Sequence, residues 1–212
     1  MTDLPTVFVS HGAPTLALDP GETGRRLAAL VGELPRPAAI LVISAHWDTA
    51  APRVSGVARQ RAIHDFHGFS EALHRLDYPA PGAPQLARRV QALLAESGIA
   101  AGIDAERGLD HGAWVPLRMM YPDAAVPVTQ LSLQSRLGPA YHYRLGRALS
   151  VLRHEGVLIM GSGSFTHNLG EFGRHAADGP PASYVREFRE WVRAELEAGD
   201  LDRLFDYREH AP

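Results

Sequence analysis

The 212-residue sequence contains no cysteine and no lysine, so its 21 basic side chains are all arginine. The lack of cysteine excludes disulfides, thiolate nucleophiles and metal sites with Cys ligands. The lack of lysine excludes Schiff-base chemistry and an amine nucleophile. Histidine, by contrast, is plentiful, with 11 residues. Any transition-metal site in this chain must therefore be built from imidazole and carboxylate groups.

The chain also has a small net charge and no long apolar run. A formal net charge of -3 gives no electrostatic reason to expect nucleic acid or an anionic membrane as a partner. No apolar segment approaches the roughly 18 residues of a membrane span, and the start, "MTDLPTVFVSHG", lacks the basic region of a signal peptide. We therefore expect a cytoplasmic protein with no nucleic acid and no membrane among its partners.

The hydrophobic pattern predicts alternating strands and helices in a single domain, residues 1–212. Short, continuous apolar strands between amphipathic helices indicate an α/β protein, with a mostly parallel or mixed sheet covered on both faces. The predicted strands cover residues 6–9, 39–44, 126–133 and 157–160. The predicted helices cover residues 22–34, 84–97, 114–120, 140–153 and 183–198.

Three histidines follow predicted strands: His11 in "PTVFVSHGAPT", His46 in "AAILVISAHWDT" and His167 in "GVLIMGSGSFTHNLG". Ligands of open α/β sheets gather outside the carboxyl ends of the strands, so these imidazoles are expected to converge on one crevice. Taken singly, each is equally compatible with a hydrogen-bonded loop residue. Together, and without cysteine, they favour a site for Fe(II), Zn(II) or a similar divalent ion.

Other histidines have weaker signals. His111 in "GLDHGAW" suits a general acid or base, or a residue that fixes a turn, and the adjacent Asp110 cannot easily fold back onto its ring. "IHDFHGF" places His64 near the substrate and His67 at the surface. The remaining histidines are predicted to face solvent on helices or tails: His74, His142, His154 and His175.

The segment "GSGSFTH" matches neither a phosphate-binding loop nor a hydrolase nucleophile elbow. It lacks GxxxxGK[ST] and a helix-opening GxGxxG, and it lacks Gly-x-Ser-x-Gly. Its small residues are better explained by close backbone packing that aims His167 inward.

Several motifs resemble one family when they are taken together and in order: "SHGAPT", "LVISAHWDT", "IHDFHGF", "YPAPGAPQLARRV", "GLDHGAWVPLRMMYPDAAVPVTQLSL" and "GSGSFTHNL". The chain resembles the DOPA-4,5-dioxygenase-like class III extradiol ring-cleavage dioxygenases from about Thr6 to beyond Leu169. The resemblance implies a three-layer αβα sandwich, one Fe(II) or Zn(II) per chain, and opening of a small catechol ring by molecular oxygen.

The resemblance also implies roles for individual residues. His11 and His46 match two metal ligands at strand ends. His167 matches a histidine described either as a third ligand or as the acid/base, His111 matches one that contacts substrate or moves protons, and His64 matches a substrate-binding histidine at the pocket wall.

The sequence departs from the family pattern at its end. Family members continue into a segment of the form Pro-Thr-x-Glu-His whose histidine completes the metal site, whereas this chain ends at "DYREHAP". We therefore expect a single catalytic domain that lacks this segment, with His210 a poor substitute. Two alternatives stay open: a zinc-dependent hydrolase or amidase, which would consume no oxygen, and a catalytically impaired metal-binding relative.

Overall fold

The computed structural model describes residues 3–171 and 179–212, which form strands and helices in alternation. The strands are β1 (Thr6–Ser10), β2 (Ala39–Asp48), β3 (Arg53–Ser55), β4 (Gly102–Asp104), β5 (Val128–Leu133) and β6 (Val157–Gly163). The α-helices are α1 (Gly21–Glu33), α2 (Glu71–His74), α3 (Pro84–Glu96), α4 (His111–Met120), α5 (Gly138–Leu149), α6 (Ser183–Ala198), α7 (Leu201–Phe205) and α8 (Tyr207–His210). Short 3-10 helices cover Pro14–Ala17, Ser135–Leu137, Ser150–Glu155 and Leu169–Glu171.

The six strands form one mixed sheet in the order β1-β6-β2-β5-β3-β4. β6 pairs in parallel with both β1 and β2, and β2 pairs in parallel with β5. Among the strand pairings of the described residues, that of β3 with β5 alone is antiparallel. Because β1, β2, β5 and β6 run in one direction, their carboxyl ends lie at one edge of the sheet, where ligands of such folds bind.

Side chains of the central strands alternate between two apolar layers. Ile40 and Val42 of β2 pack in a core with residues of α1 and α4, whereas Leu41 between them packs with residues of α3 and α5. Leu158 and Ile159 of β6 divide in the same way. Both faces of the sheet are therefore covered, which confirms the predicted α/β fold as a three-layer αβα sandwich.

Two of the differences between predicted and observed boundaries bear on the site. β2 does not stop at Ser44 but continues to Asp48, although its pairing with β5 loses register after Ile43. α4 begins at His111, where a loop was predicted, because the Asp110 side chain accepts a hydrogen bond from the backbone N–H of Ala113 and caps the helix. His46 thus lies within a strand and His111 in the first turn of a helix.

The last helices pack on the outside of the α5 layer. α6 contacts α7, and α7 in turn contacts α5. The amphipathic face of α6 is only half-buried, since none of its residues is fully buried. Among the described residues, no helix combines the length and apolar character needed to span a membrane.

The buried sheet core predicts a strong and position-dependent truncation effect. Leu158 is fully buried in β6, so Leu158→Ala should lower the free energy of unfolding by about 2–5 kcal/mol through lost contacts and a residual cavity. Leu196 on α6 is 61% exposed, and Leu196→Ala should stay within about 0.5 kcal/mol of wild type. Urea unfolding followed by circular dichroism measures both, and equal losses would contradict this layer assignment.

Candidate metal centre

His11 stands one residue beyond the carboxyl end of β1, at the start of a sharp turn. Gly12, the next residue, has a φ of +58°, a conformation that glycine adopts without steric cost. The His11 side chain is only 4% exposed. Its Nδ1 lies 3.0 Å from the hydroxyl of Ser162, a buried residue on the neighbouring strand β6.

His46 reaches the same edge from within β2. Two residues earlier, the buried Ser44 hydroxyl accepts a hydrogen bond from the His46 backbone N–H at 3.1 Å. The same hydroxyl donates to Oδ1 of Asp110 at 2.7 Å. This serine therefore ties the end of β2 to the residue that caps α4.

His111, the first residue of α4, is held by a carboxylate from a distant loop. Oδ1 of Asp65 accepts hydrogen bonds from the His111 backbone N–H at 3.1 Å and from His111 Nδ1 at 2.9 Å. The Asp110 side chain caps the helix, in line with the expectation that it does not fold back onto the adjacent ring, although the cap itself was not predicted. The partner of His111 is therefore separated from it by 46 residues of sequence.

The three imidazoles converge. One potential ligand atom from each of His11, His46 and His111 lies within 4.8 Å of the other two. The Nε2 atoms of His11 and His46 are 3.0 Å apart, and the ring centroids of His46 and His111 are 4.0 Å apart. Three imidazole nitrogens around one point, with no thiolate, form a donor set suited to a divalent transition metal.

The electrostatics of the cluster favour neutral rings, which are the form that binds a metal. Burial, together with the neighbouring His46 and His111, lowers the pKa of His11 to about 4. Burial, followed by the proximity of His111, also lowers the pKa of His46. For Asp65, burial raises the pKa, but hydrogen bonds from the side chain and backbone of His111 outweigh it and lower the net value. The Asp65 carboxylate is thus charged, and the rings of His11 and His46 are uncharged, near neutral pH.

A cavity of about 510 Å³ opens over the three histidines. Aromatic side chains Phe66 and Phe69 form part of its wall. His167 also lines the cavity, on the segment that follows β6. It is not in the group of three, but it is close enough to lower the pKa values of His11 and His46. A metal site beside an apolar cavity is the arrangement expected for a small-molecule enzyme.

The sequence-predicted site residues thus separate into two sets. His11, His46, His111 and His167 all face the cavity. His64 is not among the residues that line it: its Nε2 donates to the backbone oxygen of Leu76, and its ring packs against Phe66 and Trp114. The structure therefore places His64 beside the cavity wall, with its Nε2 already hydrogen-bonded.

The other histidines mostly follow the prediction of solvent exposure. His67, His74 and His154 are exposed, and His154 pairs with Asp3. His142 differs because it is half-buried, with its ring bonded to backbone groups of Gln134 and Gly138. His175 lies outside the described residues.

Asp65 and Ser162 are functional-site residues that the sequence did not single out. Asp65 stands between His64 and Phe66 in "IHDFHGF", and Ser162 is the first serine of "GSGSF". The carboxylate beside two histidines was the available signal for Asp65. For Ser162, the sequence contained no signal that this serine would contact His11.

Comparison with known proteins identifies the family. The model of the catalytic LigB subunit of aromatic ring-opening dioxygenase matches residues 6–212. The chain belongs to this family. It is therefore an extradiol ring-cleaving dioxygenase, an enzyme class whose members depend on a metal, and its clustered histidines are able to bind one.

Relatives share both sequence and fold with this dioxygenase. The chain is 44% identical to "4,5-DOPA dioxygenase extradiol" of Beta vulgaris, covering 98% of this chain and 78% of the relative. It is 41% identical to the protein of the same name from Escherichia coli (strain K12), covering 99% and 78%. A crystal structure of an uncharacterized protein from Escherichia coli K12 superposes with a TM-score of 0.79 at 36% identity, covering 98% of this chain and 80% of that one.

Gly112 in the first turn of α4 lets this turn pack directly against β2. A Cβ atom there would lie 2.4 Å from the Ser44 hydroxyl and 3.0 Å from Cδ2 of His46. Gly112→Ala should therefore displace His46 or His111, weaken Zn(II) binding and cost about 1–3 kcal/mol of stability by overpacking. Isothermal titration with Zn(II) and urea unfolding measure the two effects.

The matched control is Gly146→Ala on α5, where a new Cβ meets no atom within 4 Å. This change should raise stability by up to about 1 kcal/mol through helix propensity and leave Zn(II) affinity unaltered. Unchanged Zn(II) affinity in Gly112→Ala would contradict the close-packing argument.

The low pKa of His11 predicts acid sensitivity in the metal-free protein. The unfolded chain binds a proton at His11 below its ordinary pKa of 6.5, whereas the folded chain does so only near a pKa of about 4. The free energy of unfolding should therefore fall as the pH decreases through this window. For this residue, the slope corresponds to at most one proton taken up on unfolding. Urea unfolding at several pH values should show a shallower decline for His11→Asn, and parallel curves for the two proteins would refute the assignment.

Proposed function

We propose that this dioxygenase opens the ring of a small catechol beside its two hydroxyl groups, with molecular oxygen as co-substrate and one Fe(II) per chain. Its relatives named 4,5-DOPA dioxygenase extradiol support a substituted catechol of the DOPA type. The observation that carries the proposal is the convergence of three imidazoles at a cavity with an aromatic wall. Imidazole ligands suit both Fe(II) and Zn(II), but zinc has no redox chemistry, so oxygen activation favours iron.

His11 and His46 are the proposed ligands from the sheet. Their Nε2 atoms are 3.0 Å apart, which brings both within reach of one ion. His111 offers the third imidazole at the same point. We assign it a dual role: it would hold the metal in the substrate-free site, and its Nε2, once released from the metal, would exchange a proton with a catechol hydroxyl. When bound, Fe(II) supplies Lewis acidity, a template for the two substrates and a route for electrons.

His167 is the proposed second proton-transfer group. It lines the cavity but lies outside the group of three, which favours acid/base catalysis over its expected role as a ligand. An imidazole is suited to this task because its ordinary pKa is near neutrality. From the cavity wall, its ring nitrogens can take up a proton from the substrate or return one to the opening ring.

Phe66 and Phe69 are proposed to orient the aromatic substrate. Both rings line the cavity, and they meet edge to face with centroids 5.6 Å apart. A substrate ring can pack offset or edge to face against such side chains. The apolar wall also keeps water away from the reacting ring, so the catechol hydroxyls are the groups that turn towards the histidines.

The proposal is tested by oxygen uptake and product absorbance with L-DOPA and a panel of simple catechols, after anaerobic loading with Fe(II). Wild type should consume oxygen and form a ring-opened product, and the Zn(II)-loaded protein should do neither. His46→Ala should lose metal and turnover together. His167→Ala should keep its metal and lose about 10²–10⁴-fold in kcat.

His154→Ala is the matched control, because His154 is exposed and pairs only with Asp3; it should retain metal and turnover. Product formation without oxygen uptake would instead support the hydrolase alternative. Loss of metal in His167→Ala would instead indicate that His167 is a metal ligand.

A further inference from the structure

We propose that Ser162 and Asp65 are positioning residues that set the tautomers of two metal-site histidines. Each holds the Nδ1–H form of its partner, so that an unprotonated Nε2 of His11 and of His111 faces the metal. The inference rests on the proposed function only in taking this cluster as the metal site. It assigns a role to two residues that do not reach the metal themselves.

For His11, the direction of the hydrogen bond follows from the partners of Ser162. The Ser162 hydroxyl has one proton, which it donates to the backbone oxygen of Gly112. Its contact with His11 Nδ1 at 3.0 Å must then be one in which the serine oxygen accepts. His11 Nδ1 therefore carries the proton, and in the neutral ring Nε2 is left as a lone pair. Ser162 is only 3% exposed, so water has little access to compete for this bond.

For His111, the carboxylate of Asp65 likewise favours the form with the proton on Nδ1. Oδ1 of Asp65 accepts the His111 backbone N–H and lies 2.9 Å from His111 Nδ1, and a carboxylate oxygen in this position accepts hydrogen bonds. The Nδ1 of His111 must therefore carry its proton. Because one oxygen, Oδ1, receives both the backbone and the ring N–H, it fixes the rotation of the ring as well as its tautomer. The Asp65 side chain is 25% exposed and forms part of the cavity wall.

The tautomer of His46 follows from that of His11. Nε2 atoms of these two residues are 3.0 Å apart, a hydrogen-bond distance, so in the metal-free protein we expect one of them to donate a proton to the other. Since His11 keeps its proton on Nδ1, His46 must donate from Nε2 when no metal is bound. Binding of a metal to His46 Nε2 then requires this ring to switch to the Nδ1–H form. His11 and His111 are thus pre-set for the metal, and His46 is the one ring of the three that rearranges.

Long-range ¹⁵N–¹H NMR of the imidazole nitrogens tests this in the full chain. Metal-free wild type should show Nδ1–H for His11 and His111 and Nε2–H for His46. Addition of Zn(II), which is diamagnetic, should change the tautomer of His46 alone. A metal-free spectrum with His11 or His111 protonated at Nε2 would overturn the proposal without the need for any variant.

Variants separate positioning from simple packing. Ser162→Ala should release His11 to the Nε2–H form and weaken Zn(II) binding about 10–100-fold, the usual effect of losing an outer-shell partner. Asp65→Ala should do the same through His111. Asp65→Asn keeps an oxygen that accepts both bonds and should restore the tautomer and most of the affinity. The exposed Ser150, whose hydroxyl bonds to Arg147 O, supplies the control Ser150→Ala, with no change expected.

The outcomes also distinguish this inference from the proposed function. If the wild-type tautomers and Zn(II) affinities are as expected but no catechol supports oxygen uptake, the proposed function fails and the positioning roles stand. If Asp65→Ala and Ser162→Ala keep wild-type tautomers and affinities while remaining folded, the positioning roles are refuted, whatever the activity.

Discussion

The metal site depends on the way the first turn of α4 is locked against the end of β2. The fully buried carboxylate of Asp110 caps the helix through Ala113 N and accepts a hydrogen bond from the Ser44 hydroxyl. Its second oxygen accepts from Arg107 and Gln130. A buried carboxylate is tolerated only when its oxygens are satisfied in this way. The same network sets the separation of His46 and His111.

Close packing of Gly112 also holds the first turn of α4 against the sheet. Gly112 has no Cβ to keep the turn away from β2, and its backbone oxygen accepts the proton of Ser162 from β6. The first turn of α4 therefore contacts two strands. On β2 it packs against His46, and on β6 it bonds to Ser162, which in turn contacts His11. Burial of His11 then lowers its pKa, so the fold that gathers the three rings also keeps this one neutral and ready to bind a cation.

Much of the fold and of the metal site could be predicted from the sequence. The features that were not predicted have physical causes. His11 and His46 were recognisable because each comes at the end of an apolar β segment, and parallel strands bring such ends together. The helical position of His111 was missed because a cap by Asp110 and a glycine in the first turn look like a loop in sequence. His64 was predicted to bind substrate; its Nε2 donates to the carbonyl of Leu76, and its role in the pocket stays a prediction.

The sequence by itself determined the class of fold, the family and the kinds of ligand, because hydrophobic periodicity, motif order and the lack of cysteine are all local properties of the chain. Only the tertiary structure decided which polar group serves which imidazole. Asp65 reaches His111 across 46 residues, and Ser162 reaches His11 across 151. Hydrogen bonds over such separations depend on the angle and register at which strands and helices pack, and no pattern of neighbouring residues encodes that geometry.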